Sequence, residues 1–416
     1  MTESNNTYCA LPWIHLGTHP HGGVTPCCIS DHTGGLNRAR NYTNSNDQFL
    51  NLNEHSISAH MNSDYFKQIR KEMLSGVKPA ACMRCYNEES KGIRSKRQHE
   101  AEQYPAKDLE WARSHTESDG GINMDLRFVE LRLGNVCNVR CRTCNPASSS
   151  QWHRDYKHLV ETLEFVNDGY SWLDQRRDYK WPESESFYED LYECAPNMEV
   201  LYINGGEPTL IKAHWRYLRK LVDSGRSKNI VLWYNINMTN LPAEALELWR
   251  EFKECRLCPS IDDLDIRNHY IRYPTYWADV RRNLNSLLSY AAEYPNIVVR
   301  ITTTVSAYNY YYLDRFLAWA PCPVDLNWVY DPIYLAPHAL PLELRERVLD
   351  RFRTTMGNST HFSGVLAMHN TEDHPQLWEQ FTQYNIQLDH VRGNSWSHSF
   401  PELAEELAQL GYTYTK

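Results

Sequence analysis

Three things are missing from these 416 residues. No apolar run approaches the roughly 18 residues that a membrane span requires. No basic excess is present either: the formal net charge is −9. That argues against a nucleic-acid surface as the chain's main business, because neutralising phosphate takes a basic face. The opening stretch MTESNNTYCALPWIHLG carries no charged-then-apolar leader, so the expected location is the cytoplasm. There the twelve cysteines cannot be read as a disulfide framework, since the compartment keeps thiols reduced. Clustered cytosolic cysteines point to metal instead. Core-building material is plentiful, with 42% apolar and 12% aromatic residues, as a globular protein with a substantial core requires.

The cysteines come in groups. Cys9, Cys27, Cys28, Cys82 and Cys85 lie early, Cys137, Cys141 and Cys144 form a tight trio, and Cys194, Cys255, Cys258 and Cys322 are scattered. A polar segment closing in Asp119-Gly120-Gly121 separates the first two groups and reads as a boundary near residue 120. A rhythm of apolar runs and amphipathic stretches follows, beginning with RFVELRLGN, where Val129, Leu131 and Leu133 alternate with Glu130 and Arg132. MEVLYINGGEP, NIVLWYNINMTN, CRLCPSIDD, NIVVRITTTVS and VDLNWVYDP continue it, about six βα units in all. Strands and helices alternating at these lengths imply a parallel sheet with helical crossovers. Six units are too few for an eight-stranded barrel, so the expected α/β fold is a partial, open (β/α)6 barrel. It would occupy residues 121–335, with an N-terminal cysteine-rich domain over 1–120 and a helical C-terminal extension over 336–416. Residues 153–196 are too long for one crossover and read as an insertion, a candidate lid over the barrel mouth.

The trio follows directly on the first strand of the series, on the face where barrel enzymes build their sites. Three thiolates within eight residues suit a cubane iron–sulfur cluster whose fourth iron takes a ligand from elsewhere. A structural zinc site normally takes four ligands, so a zinc knuckle here would need a borrowed fourth.

The spacing C-x3-C-x2-C after a first strand resembles the signature of the radical SAM enzymes, and Cys137, Cys141 and Cys144 match it without a gap. The resemblance implies a 4Fe–4S cluster on those three cysteines, with S-adenosylmethionine on the open iron. One electron then cleaves the cofactor to a 5′-deoxyadenosyl radical that abstracts a hydrogen atom from the substrate, an oxidoreductase-type chemistry belonging to cluster and cofactor. NGGEPTL resembles the family's GGEP motif, so Gly205, Gly206 and Glu207 are expected at the methionine end of the cofactor. By the same resemblance Ser260 and Arg272 are expected at its carboxylate or ribose. Asn237 is expected near the ribose, although this chain reads Asn237-Met238-Thr239 where relatives often show Asn-Gly-Thr.

The N-terminal cysteines look like the auxiliary-cluster modules called twitch and SPASM. Cys9, Gly22 and Cys27 reproduce the half-motif, and Cys82 with Cys85 would complete four ligands to an auxiliary iron–sulfur cluster, 4Fe–4S by expectation. Cys28 competes with Cys27, and spacing does not choose between them. Four cysteines with a C-x2-C also fit a zinc ribbon. The module precedes the barrel, which resembles a subgroup of twitch-domain radical SAM proteins, as does RGNSWSHSFPEL near the C-terminus. His15, His19 and His21, in a Gly/Pro-rich turn, are expected to be solvated. Cys194 and Cys322 are expected to be buried small hydrophobes. Arg140 and Arg142 lie between the trio cysteines, where they could tune a cluster's potential or recognise an acidic partner; such loops often face solvent, and the sequence favours neither role.

The function implied is hydrogen abstraction from a peptide or amino-acid-like substrate, with the auxiliary cluster assisting electron transfer and a one-electron donor such as flavodoxin or ferredoxin. The same chemistry on a sugar, nucleotide or other small metabolite is the alternative. A non-catalytic zinc-binding scaffold is the alternative from another class.

Overall fold

The computed structural model describes residues 7–30, 50–166, 179–357, 359–412 and 414. Its contacts divide the chain into two compact units: residues 1–135, 177–234 and 247–255 form the first, and residues 136–176, 235–246 and 256–416 the second.

In the first unit five strands lie in the order β2-β1-β3-β4-β5: β1 is His15–Thr18, β2 Val24–Thr25, β3 Phe128–Arg132, β4 Val200–Asn204 and β5 Val231–Ile236. Only β2 is antiparallel, closing a hairpin on β1. Gly22 makes that turn with φ +85°, and a side chain there would press on the Leu52 backbone and Trp181 at about 3 Å. β3, β4 and β5 pair in parallel, Phe128 with Val200 and Val200 with Val231. Their inward residues alternate as the pleat demands: Val129 and Leu131, Leu201 and Ile203, Leu232 and Tyr234 are all buried. The helix Lys212–Asp223 covers them through Trp215, Leu218 and Leu221, the i, i+3, i+6 edge of an amphipathic stripe.

One pairing was not expected. β1, from the cysteine-rich N-terminus, runs parallel to β3, with His15 opposite Phe128 and Gly17 opposite Glu130. The 1–120 segment and the first strands of the βα series therefore share one compact unit. Arg70 fastens the segment from within: fully buried, it donates to the carbonyls of Pro12, Gly120 and Met61.

β6, Glu254–Pro259, ends in the second unit, where β7 (Ile297–Val299), β8 (Ile301–Val305) and β9 (Val324–Trp328) follow. NIVVRITTTVS is thus two strands, broken at Arg300. Its amide bonds back to the Leu257 carbonyl at 3.0 Å and its guanidinium forks onto Asp325. β8 and β9 pair in parallel, and a bridge from Ser260 to Thr302 ties the end of β6 to β8. The core of this unit joins the β-series residues Val305 and Tyr308 to the C-terminal helices through Leu344, Phe352, Phe381, Trp396 and Phe400. Within the 153–196 stretch the helices His153–Thr162 and Glu185–Cys194 are formed, and residues 167–178 lie outside the described part. Among the described residues no helix is long and apolar enough to cross a membrane.

Candidate functional site

The trio belongs to the second unit. Cys137 and Cys141 are buried, and half-buried Cys144 packs against them and Val139. The loop's conformation is set by its backbone. The amides of Arg140 and Arg142 donate to the carbonyls of Tyr273 and Ile271 at 2.6 and 2.7 Å. The carbonyls of Val139, Cys141 and Arg142 receive Ser149 Oγ at 2.6 Å, Trp152 Nε1 at 3.0 Å and Tyr384 Oη at 3.2 Å. Asn138 and Asn237 interlock at 2.8 Å, and Asn237 Oδ1 accepts from both the Thr239 amide and hydroxyl. Met238 takes φ +61° while fully buried. That is the left-handed region a side-chain-bearing residue adopts only when its surroundings hold it there.

Burial disfavours the thiolates, and nearby arginines partly offset it. Burial pushes the Cys144 thiol up to about 12 and also raises Cys141, with Arg272 and Arg392 pulling the latter back down. Burial works against the Arg272 charge, but Cys141 and Asp262 outweigh it and hold the guanidinium charged. Arg272 Nη1 meets Asp262 Oδ2 at 3.0 Å, and the Thr304 amide takes the other oxygen at 2.8 Å. Ser260 is half-buried, its amide on the Ile236 carbonyl at 2.7 Å. Arg272 is therefore a neighbour of the trio as well as a candidate for the cofactor's carboxylate.

Arg142 departs from the common solvent-facing arrangement. It does not face solvent: its guanidinium is fully buried, on Asn385 Oδ1 at 2.7 Å, Asp389 Oδ1 at 2.5 Å and the Tyr270 carbonyl at 3.1 Å. The buried Tyr270 ring lies 3.6 Å from it. Arg140 is mostly covered too, paired with buried Asp155 at 2.8 Å. The loop has turned both cations inward because buried carboxylates await them.

In the first unit the GGEP stretch follows β4. Gly205 takes φ +120°, and a Cβ there would lie 2.4 Å from the Leu133 amide. Glycine is required here by the close approach of the β3 backbone. Gly206 donates to the Gly134 carbonyl at 3.1 Å. Glu207 is buried, and its Oε1 accepts from the Thr209 amide at 3.1 Å and hydroxyl at 2.6 Å.

The same unit holds the N-terminal cysteines. Cys9, Cys27, Cys82 and Cys85 line one small cavity with Leu11, Met73, Lys96 and Arg97. Cys28 is not on its wall. Instead it lies against Glu130 and Lys96, with burial first among the causes that lift its thiol to about 11. Burial likewise lifts Cys9 to about 12 and raises Cys27. Among the described residues no group of three or more His, Cys, Asp or Glu side chains is arranged around a single metal ion. Cysteines of a cluster each bind a different iron, so thiols spread around a cavity wall fit a cluster's donor set. Cations beside them fit its negative charge.

The turn histidines are not solvated as expected. His15 is fully buried on β1, with Nδ1 donating to the Pro26 carbonyl at 2.9 Å and Nε2 3.9 Å from Glu130. His21 is buried and accepts from the Gly23 amide, and His19 is half-buried. The parallel pairing of β1 with β3 draws this segment inward. Cys194 and Cys322 are half-buried, not fully so, and Cys194 Sγ reaches Asp190 at 3.3 Å.

Sequence reasoning missed Trp152, Asp155, Asp262 and Arg392. The last sits where the helix Pro375–Arg392 ends on Gly393, φ +67°, the left-handed stop that glycine supplies. The stretch RGNSWSHSFPEL begins at this arginine, but its resemblance gave Arg392 no role.

Residues 9–86 match the SPASM family, an iron–sulfur cluster-binding domain. No curated protein matches the chain. Solved structures resemble it weakly. Native anSMEcpe with bound AdoMet shows 15% identity over 68% of this chain and 66% of that one, with a TM-score of 0.35. Streptococcus suis SuiB bound to S-adenosylmethionine shows 14% identity over 70% and 61%, TM-score 0.34. SuiB bound to its precursor peptide SuiA shows 12% over 73% and 66%, TM-score 0.31. The chain spans 57% and 66% of the first two structures it matches. Likenesses at this level decide no chemistry.

Proposed function

We propose that this chain is a radical SAM enzyme with an N-terminal SPASM-type auxiliary module. Cys137, Cys141 and Cys144 would hold a 4Fe–4S cluster, and Cys9, Cys27, Cys82 and Cys85 a second one. The observation that carries the reading is the trio loop itself. Three thiols packed together, anchored through backbone on both sides and set beside Arg272 and Arg392, whose charges partly offset the cost of burying a thiolate, make a donor set for an anionic cluster. When bound, the cluster with S-adenosylmethionine supplies a 5′-deoxyadenosyl radical for hydrogen abstraction.

The chain's own residues do the rest. The asparagine interlock of Asn138 and Asn237 holds the ligand loop in register. Gly205 lets this turn pack against the β3 backbone, so that the backbone of Gly205 and Gly206 would receive the cofactor's methionine end, and Glu207 accepts from its ammonium. Ser260 and Arg272 serve its carboxylate or ribose. Lys96 and Arg97 balance charge at the auxiliary site. The substrate in this reading is a peptide or amino-acid-like molecule, with electrons from a flavodoxin- or ferredoxin-type donor.

The test is anaerobic reconstitution with iron and sulfide, then S-adenosylmethionine and dithionite, with 5′-deoxyadenosine quantified by mass spectrometry. Product is expected from the wild type and none from Cys141→Ala. Deuterium transfer from a labelled peptide would then identify the substrate class. Colourless, zinc-loaded protein giving no product would sink the reading.

A further inference from the structure

Arg392 stands out among the buried charges of the second unit. Its Nε is spoken for by Asp155 Oδ2 at 2.7 Å. Asp155 spends its other oxygen on Arg140 at 2.8 Å, so one carboxylate serves two arginines and the group carries an excess positive charge. Arg142, close by, adds to the repulsion. The remaining two nitrogens of Arg392, Nη1 and Nη2, are buried and meet no acceptor among the described residues. A desolvated cation with two unused donors is costly unless an anion answers it.

The placement says which anion. The guanidinium lies 4.7 Å from the ring centre of Trp152, and Trp152 Nε1 is bonded to the Cys141 carbonyl at 3.0 Å. The Tyr273 ring is 5.5 Å away, and the Tyr273 carbonyl takes the Arg140 amide of the trio loop. Two aromatic rings thus fix this arginine alongside the ligand loop. Its charge acts on the Cys141 sulfur.

We propose that Arg392 is a cluster-facing residue. Its Nη1 and Nη2 donate to sulfur atoms of the cluster held by Cys137, Cys141 and Cys144, and thereby set its reduction potential. This rests on the trio holding a cluster. Hydrogen bonds to cluster sulfurs and nearby positive charge favour the reduced, more negative state, so the arginine makes the cluster easier to reduce. It arrives some 250 residues after the ligands, on the helix Pro375–Arg392, which gives the C-terminal extension a direct part in the redox chemistry.

The experiment is an EPR-monitored redox titration of reconstituted full-length protein, with iron counted in parallel. The trio's signal is identified as the one lost when Cys137, Cys141 and Cys144 are all replaced by alanine. Arg392→Met leaves Asp155 paired with Arg140 and so leaves no carboxylate stranded. Full iron content with a more negative midpoint is expected in Arg392→Met, and partial recovery in Arg392→Lys, which keeps the charge without the fork. Trio iron lost in Arg392→Met and restored in Arg392→Lys supports the proposal equally. An unchanged midpoint at full iron overturns it, as does iron loss that lysine does not restore. Should the wild type carry no more iron than the triple alanine variant, the underlying reading of the trio fails instead.

Discussion

At the scale of single residues, neighbours in sequence can have opposite fates. Cys27 and Cys28 both satisfy the spacing, yet only Cys27 reaches the wall shared with Cys9, Cys82 and Cys85. Cys28 points to the Glu130 carboxylate and the Lys96 ammonium. The chain turns at this pair, the Ser30 amide donating to the Cys27 carbonyl at 3.2 Å, and the turn sends the two side chains to different neighbours. Cys27→Ser should therefore lose about half of the bound iron, taking two equal clusters as the starting point, while Cys28→Ser keeps it. Iron and sulfide analysis of the two variants decides this, and equal losses would mean that the cavity is not the auxiliary site. The four spacings were readable in the sequence. The choice between adjacent thiols was not, because it depends on Glu130, more than 100 residues away, facing the same side of the sheet as His15.

Among elements, the parallel series was legible because its strands carry runs of alternating or continuous apolar residues, with Val129 and Leu131 or Leu201 and Ile203 as the inward pairs. β1 was not. Its four residues, HLGT, have no apolar alternation, and their pairing with β3 is set by tertiary packing alone. The helix Pro375–Arg392 was legible only as part of a helical C-terminal extension, not as the partner of the trio loop. Arg142, between Cys141 and Cys144, meets Asn385 and Asp389 from that helix, and Asp389 also accepts from the Trp396 amide at 2.9 Å and Tyr414 at 3.1 Å. Breaking one side of such a buried pair costs about 3–5 kcal/mol, because the other charge is left stranded. Arg142→Met and Asp389→Asn should each lower stability by that order, and the double variant by clearly less than the sum. Urea unfolding of the four proteins measures the coupling. Strict additivity would mean that helix and loop are held together by the surrounding apolar core and not by this pair.

Across the whole molecule, the buried titratable groups set an acid limit, and it lies in the first unit. His15 and His60 are held down to about 4 and His214 to about 3, in each case first by burial. His214 Nδ1 donates to the Ile211 carbonyl at 2.5 Å while its Nε2 has no acceptor. The folded state thus accommodates neutral imidazole. Unfolded histidine binds a proton near pH 6.5, so between pH 6.5 and 4 the unfolded chain takes up protons that the folded unit refuses. Stability is full above pH 6.5 and falls as the pH drops through that window, by about 3 kcal/mol per histidine at pH 4. Against a total of about 5–15 kcal/mol for a typical domain, that suffices to open the unit. Asp263, fully buried in the second unit beside Arg267, works in the opposite sense. Burial raises its carboxyl to about 7, so the folded form holds a proton there that the unfolded chain releases. Its contribution therefore grows as the pH falls from 7 towards 4. Hydrogen exchange at pH 7 and pH 5, corrected for intrinsic rates, should show protection falling in β1, β3 and the helix Lys212–Asp223. The segment around Asp263 should hold or gain. In His214→Asn, which cannot titrate, the pH slope of the first unit should be shallower by about one proton in three. Equal protection of the first unit at both pH values would show that its histidines are not buried neutral.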